Sequence, residues 1–172
     1  MYYLKKLTQL FVWFLVLVVV PFCLGMLCCT GKAQEKPTLT PYQAILKKDG
    51  KERADEFKDA VDTNIRFGDN KYRLVAIVAA IRFAENGGPG REYGVLHPRV
   101  KPTYRSQAGW CAATVQKNWD RYIKAGLNPT DIVGYIAFLG KKYCPVGAKN
   151  DPHGLNRHWI RNVTRLNRTM SK

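Results

Sequence analysis

Residues 72–90 of this chain read YRLVAIVAAIRFAENGGPG, a nearly continuous apolar run followed by a cluster of glycines and a proline. Leu74, Ile77 and Ile81 recur at the spacing of one face of an α-helix. The cluster Asn-Gly-Gly-Pro-Gly cannot extend that helix. We therefore predict a core helix over residues 72–84 that ends where this cluster begins.

Two more helices are predicted before the core helix. Thr40 followed by Pro41 is a helix start, a capping residue and a first-turn proline, and the helix that it opens ends at Gly50. Residues 51–64 carry alternating charges and few apolar side chains, which indicates an exposed, peripheral helix that packs through a narrow stripe. We assign residues 34–70 to an N-terminal helical extension.

Beyond the core helix the pattern is first irregular and then helical again. Residues 91–105 are rich in Pro, Gly, Tyr and Val, which is typical of a loop or a short hairpin. Ser106 and Asn128 then mark the starts of two helices, and a last helix is predicted around residues 155–166. The sequence thus predicts a mostly α domain with a small irregular or β-hairpin lobe over residues 71–172.

The composition favours a folded, basic protein. Of 172 residues, 46% are hydrophobic and 24% are charged, which is too apolar for a disordered chain. The formal net charge of +15 favours an anionic partner such as a membrane surface or an acidic polymer. Glycine-rich phosphate loops, dinucleotide fingerprints and heptad runs are absent from the sequence, so nucleotide-dependent classes have no support.

The start of the chain predicts export. Residues 10–29 carry no charge and follow two lysines, which is the layout of a signal peptide or of an N-terminal membrane anchor. Gly31 and Ala33 form a small-x-small cleavage pattern, while the uncharged stretch is also long enough to span a bilayer. We expect residues 1–33 to be removed or kept as an anchor. The protein is then periplasmic, secreted or held at the outer face of the inner membrane.

Removal of the first 33 residues leaves two cysteines, Cys111 and Cys144. In an oxidising compartment such a pair is most simply a disulfide, worth about 3 to 4 kcal/mol for a loop of this length. The alternative is that Cys111 is a nucleophile. Both interpretations remain open at this stage.

Glu85 is the most informative polar residue. It lies four positions after Ile81, so a helix that continues this far points its carboxylate close to the buried stripe. Burial and the negative end of the helix both favour the protonated form, which predicts a raised pKa and suits a general acid. The competing interpretation is an ordinary helix-end carboxylate paired with Arg82 or Arg91.

The neighbourhood of Glu85 is similar to a known group of enzymes. Residues 79–88, AAIRFAENGG, resemble the helix-end glutamate of the lysozyme-like superfamily of peptidoglycan-cleaving enzymes, the lytic transglycosylases and related glucosaminidases. Residues 93–96, YGVL, resemble the segment that follows this glutamate in transglycosylases. The resemblance implies a lysozyme-like helical domain, Glu85 as catalytic acid and a cleft for an alternating glycan. Asn86 stands where the family usually has a serine, and Leu96 and His97 replace a methionine and a glutamine.

Substrate-binding side chains are expected in three places. Tyr93 lies in the segment that resembles the transglycosylases, and Tyr135 or Tyr143 would take the role of the family's Tyr-Asn-Ala-Gly tyrosine, a motif that this chain lacks. Asn156 and Trp159 belong to a polar and aromatic run that suits an N-acetylated sugar, through an amide and an aromatic face. The spacing of Trp159 in its helix equally predicts a core residue.

These observations lead to an expected function: cleavage of the β-1,4 glycan strand of peptidoglycan, with Glu85 as general acid. A transglycosylase needs no second carboxylate, whereas hydrolysis needs a base or nucleophile, for which Glu92 and Asp151 are the candidates. Peptidoglycan strands are the expected partner, with possible membrane association through residues 10–29. We expect no cofactor and no nucleic acid partner.

Two alternatives remain. Cys111 with His158 superficially resembles the cell-wall amidohydrolases whose thiolate lies at a helix N-terminus, and the chain could also be a noncatalytic basic domain that binds cell-wall polymer. The spacing of His153 and His158 is not that of paired helical zinc ligands, so no metal site is expected.

Overall fold

The computed structural model describes residues 39–149, 151 and 153–170, and the predicted signal or anchor segment lies outside them. The regular structure of these residues consists of six α-helices and one short 3-10 helix, with no β-strand. The predicted mostly α fold is therefore confirmed. The elements are α1 Pro41–Asp49, α2 Lys51–Asn64, α3 Lys71–Glu85, α4 Tyr104–Lys124, α5 Ile132–Tyr143, the 3-10 helix Leu155–His158, and α6 Trp159–Arg168.

Local sequence signals define α1 and α2. Thr40 and Gln43 form a reciprocal capping box, in which the backbone N–H of each donates to the side chain of the other. Gly50, at φ 87°, separates the two helices. The buried stripe of α2, which packs on α4, is narrow as predicted; it consists of Ala54, Phe57, Ala60 and Val61.

α3 is the core helix that the apolar run predicts, and it contacts α1, α4 and α6. Leu74, Ile77 and Ile81 are at most 2% exposed. Full burial of each such side chain stabilises the fold by about 1.5 to 3 kcal/mol. The helix therefore forms the centre around which the others pack, and its end position is fixed by that packing.

A buried ion pair connects three helices. Arg82 of α3 donates from Nε and Nη2 to the two carboxylate oxygens of Asp49, at 2.9 and 2.7 Å. The hydroxyl of Tyr104, the first residue of α4, donates to Asp49 Oδ2 at 3.0 Å. The side chains of Arg82 and Asp49 are only 9% and 10% exposed. Because both charges are paired and hydrogen-bonded, the ends of α1 and α3 and the start of α4 are held together.

Two helix starts differ from the prediction. Thr103, rather than Ser106, caps α4, and its Oγ1 accepts the Ser106 N–H. Asp131 caps α5, because the side chain of Asn128 instead accepts the N–H of Thr130 and closes a local turn. The sequence prediction gave the capping role to Ser106 and Asn128, whereas Thr103 and Asp131 cap these helices.

The segment between α3 and α4 is irregular. Of the two forms predicted for the lobe, the described residues adopt the irregular one, with turns and bends and no strand. The described residues from 39 onward form one compact unit. α1 and α2, predicted as an extension, thus share the core of the later helices. No helix among the described residues has the length and apolar character needed to cross a membrane.

The buried ion pair predicts a large effect of one substitution. Asp49→Ala leaves the Arg82 guanidinium buried without its carboxylate, so we expect the free energy of unfolding to fall by about 3 to 5 kcal/mol. The matched control is Asp59→Ala, which breaks the exposed ion pair with Arg105 and should cost at most about 1 kcal/mol. Urea unfolding measures both. Equal losses in the two variants would contradict a structural role for the Asp49 pair.

Candidate active site

Glu85 is the last residue of α3, and the chain turns sharply after it. Asn86 adopts a left-handed conformation with φ 45°, which ends the helix. Asparagine tolerates this region better than most residues, and its side-chain oxygen accepts a hydrogen bond from Lys48 Nζ at 3.1 Å. Asn86 thus has a structural role as a helix terminator.

The segment after Asn86 folds back onto the end of α3. Gly87 approaches the backbone so closely that a Cβ there would overlap the carbonyl of Arg91. Gly94, at φ 66°, returns to Glu85: a Cβ on Gly94 would lie 2.6 Å from Glu85 Cδ and would overlap Oε2. A residue without a side chain is therefore required for the backbone to lie against the Glu85 carboxylate.

The other carboxylate oxygen of Glu85 has a specific donor. Trp159, the first residue of α6, donates from Nε1 to Glu85 Oε1 at 2.7 Å. Burial raises the pKa of the Glu85 carboxyl, and the hydrogen bond from Trp159 opposes this with a smaller effect. The raised pKa agrees with the sequence prediction, and it favours a carboxyl that can carry a proton closer to neutral pH.

Two side chains hold the segment that carries Gly94 in place. Gln107 of α4, 2% exposed, donates from Nε2 to the carbonyl of Val95 and accepts the N–H of Val95 at Oε1, at 2.9 and 3.2 Å. The hydroxyl of Tyr143 donates to the carbonyl of Tyr93 at 2.5 Å. These bonds hold the backbone on both sides of Gly94 beside the Glu85 carboxylate.

Tyr143 and Trp159 form one unit beside Glu85. Their rings stack with centroids 5.4 Å apart and an interplanar angle of 25°. Burial raises the pKa of the Tyr143 hydroxyl well above its usual value, so this group is a neutral donor. Tyr143 thus supports the Trp159 indole with its ring and binds the Gly94 segment with its hydroxyl.

The remaining predicted sugar-binding side chains serve the fold. Tyr93 and Tyr135 have no exposed surface, and their hydroxyls donate to Tyr104 Oη and to the Val115 carbonyl, respectively. Asn156 donates from Nδ2 to the carbonyl of Pro145, which ties the loop after α5 to the 3-10 helix. Trp159 is 5% exposed, so it is both a core residue and the partner of Glu85. Of the five predicted side chains, Trp159 donates to Glu85 and Tyr143 stacks on Trp159.

The two candidates for a second carboxylate differ in their surroundings. Asp151 is 8% exposed and accepts the backbone N–H groups of Leu155 and Asn156, so it caps the 3-10 helix. Glu92 is 6% exposed, and its Oε2 has no hydrogen-bond partner within the described part of the chain. The Asp151 carboxylate is already bound by backbone donors, and the Glu92 carboxylate is enclosed by protein. Neither carboxylate is therefore open to a substrate.

Cys111 and Cys144 are both free thiols in the structure. Cys111 lies two turns inside α4, rather than at its start, and is fully buried. Burial raises the pKa of both thiols to about 12, and an inert thiol rather than a thiolate is expected at each. His158, the other residue of the amidohydrolase hypothesis, contacts Arg161 through Nδ1. The disulfide stays a prediction.

In the part of the chain that the structure describes, no three His, Cys, Asp or Glu side chains come together in a way that could hold a metal ion.

The sequence did not predict the close approach of Gly94 to Glu85 or any role for Gln107. The sequence analysis singled out residues 93–96, which contain Gly94, whereas a glutamine in an amphipathic helix gives no signal. Searches of protein-family models, curated proteins and solved structures found no match to this chain.

The contact between Gly94 and Glu85 can be measured by substitution. Gly94→Ala forces a Cβ into the Glu85 carboxylate and strains a positive φ, so we expect a loss of stability of about 2 kcal/mol or more. Gly126→Ala is the matched control, because Gly126 has a similar φ of 71° and nothing within 4 Å of the added Cβ. Strain alone should cost the control about 1 kcal/mol. Urea unfolding that gives the same loss for both variants would refute the close contact.

Proposed function

We propose that this protein cleaves the β-1,4 glycan strand of peptidoglycan with Glu85 as its general acid. One observation carries the proposal: the Glu85 carboxyl is held between the Trp159 indole N–H and the backbone at Gly94. A catalytic acid needs a fixed position and a raised pKa, and Glu85 has both. The sequence similarity to the helix-end glutamate of lysozyme-like enzymes adds independent support.

The position of Glu85 at a helix C-terminus strengthens the acid role. The carbonyl end of α3 carries partial negative charge, which disfavours a carboxylate at this point. Burial of the carboxyl acts in the same direction and outweighs the opposing effect of the Trp159 hydrogen bond. The Trp159 hydrogen bond to Oε1 and the close approach of the Gly94 backbone to Oε2 together fix the orientation of the carboxyl.

The surroundings favour the transglycosylase route over hydrolysis. Glu85 donates its proton to the leaving glycosidic oxygen as the bond from that oxygen to C1 breaks. The acetamido group of the substrate supports the sugar cation, and the C6 hydroxyl then attacks C1 and returns its proton to Glu85. This cycle needs one carboxyl only, and Asp151 is already bound by two backbone donors. The product is an anhydro sugar.

The proposal assigns a lysozyme-like architecture to the helical unit, with the irregular segment between α3 and α4 as the small lobe that covers Glu85. Peptidoglycan as substrate requires that the domain lies outside the cytoplasm, as the start of the sequence predicts. The net charge of +15 suits an anionic cell envelope. The buried, high-pKa thiol of Cys111 gives the amidohydrolase alternative no support.

Replacement of Glu85 by glutamine tests the acid role. Glu85→Gln preserves volume but cannot donate a proton, so release of soluble fragments from purified sacculi should fall by a factor of about 10² to 10⁴ or more. In the parent, activity should decline as pH rises through the raised pKa of Glu85, because only the protonated carboxyl is active. The matched control is Glu52→Gln on the exposed side of α2, which should change neither rate nor pH profile.

Mass analysis of the released fragments distinguishes the alternatives. Anhydro-muropeptides that vanish in Glu85→Gln support the transglycosylase route, and reducing ends that vanish in this variant support a hydrolase with the same acid. Cut peptides would identify an amidohydrolase, and intact sacculi a noncatalytic binder. Circular dichroism and urea unfolding show whether the variant is folded; a folded variant within a few-fold of the parent rate would refute the proposal.

A further inference from the structure

Trp159 directs its single polar group at the Glu85 carboxyl. The hydrogen bond from Nε1 to Oε1 is 2.7 Å long, at the short end of the range for N–H···O bonds. Among the described residues, no other group donates a hydrogen bond to this carboxyl, and no ion pair includes it. The indole N–H is therefore the one specific contact in this part of the chain that favours the ionised form of Glu85.

The titratable groups around Glu85 supply no positive charge. Burial raises the pKa of the Cys111 and Cys144 thiols to about 12 and that of the Tyr143 hydroxyl well above its usual value, and the charge of Glu85 adds to each. All three groups are therefore neutral at physiological pH. The pKa of Glu85 itself is raised by burial and lowered by the Trp159 hydrogen bond, with no contribution from a charged side chain.

Two residues of α5 hold the Trp159 ring in place. Tyr143 stacks on the ring, and Gly140, one turn earlier on the same helix face, makes room for it. A Cβ on Gly140 would lie 3.2 Å from two carbons of the indole and 2.8 Å from Ile160 Cγ1. Because the indole is only 5% exposed, water competes little for its N–H. Packing against α5 thus directs the N–H toward Glu85.

A role in filling the core explains the ring of Trp159 but not its acceptor. A buried indole N–H needs a hydrogen-bond partner, and a backbone carbonyl would satisfy that need. Trp119 of α4 shows the ordinary case: it is 7% exposed, packs against the rings of Tyr122 and Tyr135, and donates to no carboxylate of the described chain. The choice of Glu85 as acceptor therefore indicates a function for the N–H itself.

We propose that Trp159 is a positioning residue for proton transfer, whose N–H stabilises the carboxylate that forms as Glu85 gives its proton to the leaving glycosidic oxygen. The proton moves from Glu85 to that oxygen as its bond to C1 breaks, and the indole keeps its own proton throughout. A hydrogen bond to a charged acceptor is stronger than one to a neutral acceptor, so this contact strengthens as the proton leaves. This inference rests on the glycan cleavage proposed above.

The effect of the indole N–H on Glu85 can be measured without substrate. Trp159→Phe removes the N–H and keeps an aromatic ring, so the Glu85 carboxyl should titrate at a higher pH than in the parent. Carbon-13 NMR of the full chain in a neutral detergent measures this midpoint. The matched control is Trp119→Phe, which removes an equally buried indole and should leave the midpoint unchanged. An unchanged midpoint in Trp159→Phe, or equal rises in both variants, would overturn the inference.

Kinetics on soluble glycan strands from peptidoglycan separate stabilisation of the reacting carboxyl from substrate binding. An interaction that strengthens toward the transition state acts on kcat, so Trp159→Phe should lower kcat about tenfold and leave KM nearly unchanged. Its activity should also decline at a higher pH than that of the parent, because Glu85 keeps its proton longer. A raised KM with an unchanged kcat would show a binding role and would contradict the proposal.

A measurement on the parent alone decides the case in which Trp159→Phe does not fold. The nitrogen-15 signal of the Trp159 indole should shift with pH at the same midpoint as the Glu85 carboxyl, and the indole signal of Trp119 should not. A Trp159 signal that does not follow the Glu85 titration would overturn the inference. A parent that cleaves no glycan would refute the proposed function instead, and the NMR midpoints would still decide whether Trp159 stabilises the carboxylate.

Discussion

The return of the chain onto the end of α3 is the constraint on which the site depends. The helix stops at Glu85, Asn86 turns the backbone through a left-handed conformation, and Gly94 comes back against the carboxylate. The Glu85 carboxyl is thereby enclosed between the Gly94 backbone and the Trp159 indole. Since water is removed from one side of the carboxyl, its neutral form becomes more favourable, and an acid suited to proton donation results.

Hydrogen bonds and ring packing hold the segment around Gly94 against the end of α3. Gln107 holds the backbone of Val95 from both sides, and Tyr143 holds the carbonyl of Tyr93 while its ring stacks on Trp159. The ion pair between Asp49 and Arg82 ties the end of α3 to the end of α1. Each of these bonds joins residues distant in sequence, so the position of the Glu85 carboxyl depends on the complete helical unit rather than on α3 alone.

The helices were largely predictable because their signals are local. The capping residue Thr40, the separator Gly50 and the apolar run of α3 determine where elements begin and end, and the bounds of α2 follow from its neighbours. The starts of α4 and α5 were misplaced, because Thr, Ser, Asn and Asp can each either cap a helix or close a turn. That choice depends on where the backbone must go next, which a single stretch of sequence does not contain.

The sequence predicted three residues of the site, Glu85, Tyr143 and Trp159, but not the contacts between them. A helix-end glutamate beside an apolar stripe identifies Glu85, but its partner Trp159 lies 74 positions later in the chain. The sequence suggested tyrosines as sugar contacts because their ring chemistry suits that role, while the structure uses Tyr93 and Tyr135 to fill the core. Packing of large side chains is a property of the whole fold, so a tyrosine that binds and a tyrosine that packs look alike in one sequence.

The most direct test of this account is the pKa of Glu85 itself. The side-chain carboxyl carbon can be followed by NMR across a pH titration of carbon-13-labelled protein, with Glu85→Gln assigning the signal. An ordinary glutamate titrates at about 4.3, and we predict a midpoint for Glu85 above that value. A midpoint at or below the ordinary value would contradict the account, because the carboxyl would then be a solvated or ion-paired helix end.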